Sequence, residues 1–168
     1  MTIEEIFNTL DNISYGGYNY ESNEKNYGNI EKRDYRKHDV QEGLDLSKTK
    51  VGNCFDTAIY FYNMAKENGI DARLYGFFDL ESKKVFHFYC VYIIDGVYHL
   101  LEYSIKEIRG IYKANTIEEI EKYIADCLFV EGKFVYKNIL VSNIEDIELP
   151  ISMDKFVDQL YNKIKISK

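Results

Sequence analysis

The chain has few of the residues that build metal or disulfide sites: three cysteines and three histidines in 168 residues. No two cysteines sit at C-x-x-C spacing, and an odd thiol count does not suggest a disulfide framework, which points to a reducing setting. None of these residues has the spacing of a structural zinc site, so neither a metal nor a cofactor is expected. A pair made of Cys90 and His99 would supply only two ligands. Basic charge is scarce as well: 21 Lys and Arg against 28 Asp and Glu give a net charge of -7 and a pI near 5.1. That argues against a nucleic-acid binder, which needs a basic footprint. Without one, the 16 tyrosines read as strand and core residues rather than base-stacking platforms. No apolar run approaches the roughly 20 residues of a membrane helix. Met1-Thr2-Ile3-Glu4-Glu5 lacks a signal-peptide charge pattern, so a cytoplasmic location is expected. There are no repeats, low-complexity segments or linkers, and Pro150 is the only proline. With 46% hydrophobic and 29% charged residues, one globular domain over residues 1–168 is expected.

What is present is a sequence of punctuated elements. Thr2-Ile3-Glu4-Glu5 is a capping-box signature ahead of Ile6, Phe7 and Leu10, and predicts a short helix. From Ile13 to Lys50 no period is sustained; short strands or a functional loop are expected there, and the segment could form part of a cleft wall. Within it, Tyr15-Gly16-Gly17-Tyr18 reads as a turn, without the lysine and hydroxyl of a phosphate loop. The charged stretch Lys32 to Asp39, with His38, reads as a solvated loop. Asn53 is a good N-cap for a helix that starts at Cys54 and closes at Gly69. Strands are predicted at Ala72 to Phe78, Val85 to Ile94 and Val97 to Tyr103, the last two joined by the hairpin signal Asp95-Gly96. Ser104 to Asn115 reads as irregular, followed by a second capping box at Thr116 to Glu119 that heads a helix. Phe134 to Val141 reads as a strand, and a final helix follows Pro150 with Phe156, Val157, Leu160 and Ile164 apolar.

Chemistry concentrates between Gly52 and Glu102. A two-residue hairpin loop at Asp95-Gly96 makes paired residue numbers sum to about 191, which sets His87 opposite Ser104 and Tyr89 opposite Glu102. His87, Tyr89, Glu102 and Ser104 then share one sheet face, and Cys90, His99 and Leu101 the other. Glu102 is a diagonal neighbour of His87, within side-chain reach. Cys54 falls in the first turn of its helix, where the dipole favours a thiolate and the first N–H could act as an oxyanion donor, while Asp56 works mildly against that. A lone cysteine is more often a small buried hydrophobe, and a histidine in an aromatic strand more often structural. A carboxylate among Leu100, Leu101 and Tyr103, however, wants a partner, and the three together point to a Cys54, His87, Glu102 catalytic triad. Cys90, Cys127 and His38 keep a structural reading. For a second oxyanion donor, Asn53 and Tyr15 both stay open.

At these residues the chain resembles the transglutaminase-like group of the papain-like superfamily. The resemblance rests on Gly52-Asn53-Cys54, Gly69-Ile70-Asp71-Ala72-Arg73, His87-Phe88, and Asp95-Gly96-Val97-Tyr98 leading to Glu102. Arg109-Gly110-Ile111 is similar to a smaller bacterial group in which the acid is glutamate. The usual acid of the family is aspartate, so Glu102 is one methylene longer, and Phe55 stands where tryptophan is common. The resemblance implies an α+β fold with the nucleophile helix packed against an antiparallel sheet. It further implies thiol acyl transfer on a peptide or protein amide, and leaves open whether water or an amine is the acceptor. A non-catalytic peptide- or protein-binding module on the same fold is the competing expectation; thiol–disulfide exchange lacks a resolving cysteine.

Overall fold

The computed structural model describes residues 1–129 and 136–166. Helix α1 (Ile3–Phe7) opens on the expected capping box: Thr2 Oγ1 accepts from Glu5 N and Glu5 Oε2 accepts from Thr2 N. The segment after it folds into β1 (Ser14–Tyr18), β2 (Lys25–Tyr27), a 3-10 turn at Lys32–Lys37, β3 (Asp39–Val40), α2 (Leu46–Thr49) and β4 (Val51–Gly52). Helix α3 (Cys54–Glu67) follows, then β5 (Asp71–Asp79), β6 (Lys84–Ile94) and β7 (Val97–Glu102). After a 3-10 turn at Lys106–Ile108 come β8 (Gly110–Ala114), α4 (Ile117–Leu128), β9 (Lys137–Val141), β10 (Ile151–Ser152) and α5 (Met153–Ile166). Of the strand expected from Phe134, residues Phe134 and Val135 lie outside the described residues.

Two sheets result. The larger is antiparallel in the order β8-β7-β6-β5-β9; the smaller runs β10-β3-β1-β2, with β4 pairing β1 in parallel. Helix α3 packs across the larger sheet, setting Phe61, Ala58 and Ala65 against Phe88, Cys90, Tyr92 and Leu101 in the main core. Burying side chains of this size contributes about 1.5–3 kcal/mol each, which is what fixes the helix on the sheet. Phe55, Phe88 and Phe156 meet ring to ring and bring α5 into the same core. The opposite sheet face is covered by α4 through Ile120 and Ile124, which pack with Tyr89, Val91 and Leu100. The fold is therefore α+β, with the helix that begins at Cys54 laid on an antiparallel sheet. Among the described residues no helix is long and apolar enough to cross a membrane.

Four local readings change. Tyr15-Gly16-Gly17-Tyr18 is not a turn but the centre of strand β1. A Cβ on Gly16 would stand 2.0 Å from Asn26 O, and one on Gly17 2.5 Å from the His38 ring, so these glycines permit close approach within a sheet. His38 itself is buried, not solvated, and its carbonyl accepts from Met153 N at 2.8 Å. The stretch Ser104 to Asn115 holds strand β8, which extends the larger sheet beside β7 from Tyr98–Ala114 to Glu102–Gly110. The second capping box is only half formed. Thr116 Oγ1 accepts from Glu119 N, but Glu119 turns its carboxylate to Asn115 N.

Candidate active site

The hairpin register is the expected one. Asp95 and Gly96 both have positive φ, the signature of a type I′ turn, and the pairs run from Ile94–Val97 to Cys90–Leu101. His87 and Glu102 lie just beyond the last pair. Their side chains meet there, with His87 Nε2 2.6 Å from Glu102 Oε1 and both residues buried. His87 stacks on Tyr89 at 12° between ring planes, which fixes the imidazole plane.

One device was not legible from composition or periodicity. Across β5, Phe77 pairs with His87 and Phe78 pairs with Val85, leaving Phe86 as an extra residue. This β-bulge falls in β6 immediately before His87, and bulges are common beside sites because they re-aim a side chain. The longer acid is accommodated close by. Glu102 Oε2 accepts from Ser104 Oγ at 3.1 Å and from Ile105 N at 3.0 Å, so both oxygens are held while Oε1 reaches His87. Ser104, expected opposite His87, lies beyond the end of β7 and anchors the Glu102 carboxylate. Arg109 supports the turn that follows: its Nε donates to Tyr103 O at 2.6 Å and its guanidinium lies 4.2 Å from the Tyr103 ring centre.

Cys54 arrives from the other direction, at the start of α3. Asn53 Oδ1 accepts from Phe55 N and the Asp56 carboxylate accepts from Asn53 N, so the cap is closed from both sides. Asp56 also accepts from Gln41 N; complete burial pushes its carboxyl up to about 7 against these hydrogen bonds. Asp56 is thus a structural cap buried behind the helix start. The Cys54 amide is the first N–H of the helix and has no partner within it. The thiol is half-buried and lines the same cleft as the imidazole, whose Nε2 is taken up by Glu102. Burial opposes a charged His87, yet the Glu102 charge and hydrogen bond, together with the neighbouring Cys54, outweigh it. The imidazole pKa is raised above its ordinary 6.5 as a result.

Cys54 and His87 open into a cleft of about 380 Å³ that is also lined by Tyr15, Phe86, Ser104 and Leu128. Of the residues singled out in sequence, Cys54, His87 and Glu102 are brought together. Cys90 lies fully buried in the main core, where burial raises its thiol, and His99 pairs with Tyr92 away from the cleft. Among the described residues no group of three or more His, Cys, Asp or Glu side chains is arranged to hold a metal.

No curated protein and no solved structure matches this chain. Residues 11–107, more than half of the chain and a span that includes β1, Cys54, His87 and Glu102, match the core model of the transglutaminase-like superfamily. With that match, a helix-borne cysteine and the antiparallel sheet beneath it, the chain belongs to the transglutaminase-like superfamily.

Proposed function

We propose that this protein is a cysteine-dependent enzyme that transfers the acyl group of a peptide or protein amide, with Cys54 as nucleophile, His87 as base and acid, and Glu102 as the group that orients the imidazole. The observation that carries this reading is the buried His87–Glu102 hydrogen bond of 2.6 Å at the edge of a cleft shared with the Cys54 thiol. A charged imidazole beside a sulfur at a helix N-terminus is the pairing that favours a thiolate. Attack by Sγ on the amide carbon forms the C–S bond and moves the carbonyl electron pair to oxygen. Collapse of that adduct breaks the C–N bond, and the imidazolium gives its proton to the leaving amine. Neutral His87 then takes a proton from water as it attacks the thioester, which releases a carboxylic acid and restores the thiol. Hydrolysis is proposed over crosslinking because water needs no dedicated acceptor groove.

A direct test is acylation of the full chain by p-nitrophenyl acetate, with the modified residue located by peptide mass mapping. A burst of nitrophenolate with acetyl trapped on Cys54 alone, absent in His87→Ala, is the expected result. Acetylation spread over surface residues, or unchanged in His87→Ala, would leave a binding module as the better reading.

A further inference from the structure

We infer that the Tyr15 hydroxyl is the second oxyanion donor of this site, acting with the Cys54 amide on the carbonyl oxygen of the bound acyl group; this rests on the reading of Cys54 as nucleophile. Three observations lead to it. First, the donor has to reach the cleft, and Asn53 does not. Its Oδ1 caps Phe55 N, its Nδ2 donates to Gly16 O at 3.2 Å and contacts the Met153 sulfur, and the residue is 2% exposed. Every polar atom of that side chain is committed to holding the helix start.

Second, Tyr15 lines the cleft with Cys54 and His87, and its hydroxyl has no hydrogen-bond partner among the described residues. Other tyrosines of the chain commit theirs inside the fold: Tyr20 to Asp45, Tyr60 to Thr9, Tyr62 to Glu145, Tyr89 to Asn138, Tyr92 to Phe61 O and Tyr161 to Asp79 O. Tyr15 keeps 40% of its surface exposed and leaves its donor for a ligand. Burial above all, together with the neighbouring Cys54, Tyr35, Asp56 and Glu102, raises the phenol above its ordinary 10.0, so the hydroxyl stays protonated as a donor must.

Third, the position of Tyr15 is tied to that of the nucleophile. Tyr15 pairs with Gly52 across the parallel β1–β4 ladder, two residues before Cys54. The next residue of β1, Gly16, receives the Asn53 amide, and Tyr15 O accepts from Gly28 N at 2.8 Å. Strand and helix cap are therefore one unit, which is the rigidity an oxyanion donor needs if it is to stabilise charge without reorganising. In the step concerned, the C–S bond forms as the carbonyl π pair moves to oxygen, and that oxygen accepts from the Cys54 N–H and the Tyr15 O–H. The pair returns to carbon when the leaving group departs.

The test compares two reactions of the same thiol. Acylation by p-nitrophenyl acetate passes through an oxyanion, whereas alkylation by iodoacetamide displaces iodide without one. Tyr15→Phe should slow acylation of Cys54 about 10²–10³-fold in its rate constant, the usual effect of losing one such donor, with KM little changed. It should leave the alkylation rate of Cys54 within about twofold across pH, because Phe keeps the ring and its packing. Equal acylation rates in wild type and Tyr15→Phe overturn the inference, as does a parallel loss in both reactions, which would mark a structural role. Absence of Cys54 acylation in the wild-type chain would instead remove the parent reading, and this inference with it.

Discussion

At the scale of single residues, the site depends on how Glu102 divides its two oxygens. One holds His87 and the other is held by Ser104 and Ile105, so the carboxylate has little freedom to swing away from the imidazole. From the end of β7 the Glu102 carboxylate reaches the His87 ring on β6 at 2.6 Å. Glu102→Gln keeps the shape but presents an amide that favours the wrong imidazole tautomer, and acylation of Cys54 should fall by about 10³–10⁴-fold. The sign of the pH effect follows from charge. Glu102 raises the His87 pKa, so under the proposed mechanism the alkaline limb of the amide reaction should lie above the ordinary histidine range. In Glu102→Gln that limb should move to lower pH, which a rate profile with an amide substrate would record. The cysteines give a contrast in stability. Cys90 is fully buried in the main core, and Cys90→Ala should cost about 1 kcal/mol or more in urea unfolding while sparing acylation. Cys54→Ala, at a half-buried cleft position, should abolish acylation and stay within about 0.5 kcal/mol of wild type.

At the scale of elements, strand β1 is the part of the fold whose role was hardest to see in sequence. Gly16-Gly17 has the composition of a turn, and the reason for both glycines is tertiary: the Asn26 backbone and the His38 ring occupy the space a side chain would need. Gly17→Ala should therefore destabilise the chain by about 1–3 kcal/mol, measured by urea unfolding, because the His38 ring must shift to admit the methyl. A neutral effect would mean that β1 and β3 separate easily, against the close approach described. The hairpin was legible for the opposite reason. Asp95-Gly96 determines its own turn type, and a two-residue loop fixes every pair from Ile94–Val97 to Cys90–Leu101. The bulge at Phe86 left no trace, since one extra residue in an aromatic strand changes neither composition nor alternation enough to be noticed. Strand β8 was hidden likewise: Gly110-Ile111-Tyr112-Lys113-Ala114 is a short edge segment whose pairing partner, not its pattern, makes it a strand.

At the scale of the whole molecule, the two sheets have different tasks. The larger one carries His87 and Glu102 and seats α3 on its apolar face; the smaller one, built from the segment Ile13 to Lys50 together with β4 and β10, brings Tyr15 against the start of α3. Sequence reasoning reached the α+β fold because it depends on local signals: an N-cap, a helix C-terminal glycine and a hairpin. It reached the cleft only in part: Tyr15 comes from the segment expected to form a wall, whereas Phe86, Ser104 and Leu128 are assembled from three separate elements. The central claim is that Cys54 is a nucleophile activated by a buried His87–Glu102 pair, and the chain carries its own control. Cys127 is also partly exposed, but burial and the charges of Glu107 and Glu102 raise its thiol pKa and should keep it slow. The most direct measurement is the rate of iodoacetamide alkylation at each cysteine of the full chain at neutral pH, resolved by peptide mass mapping, in wild type and His87→Ala. Faster alkylation of Cys54 than of Cys127, with the advantage lost in His87→Ala, is the predicted result; equal rates at the two thiols, or a Cys54 rate indifferent to His87, would contradict the account.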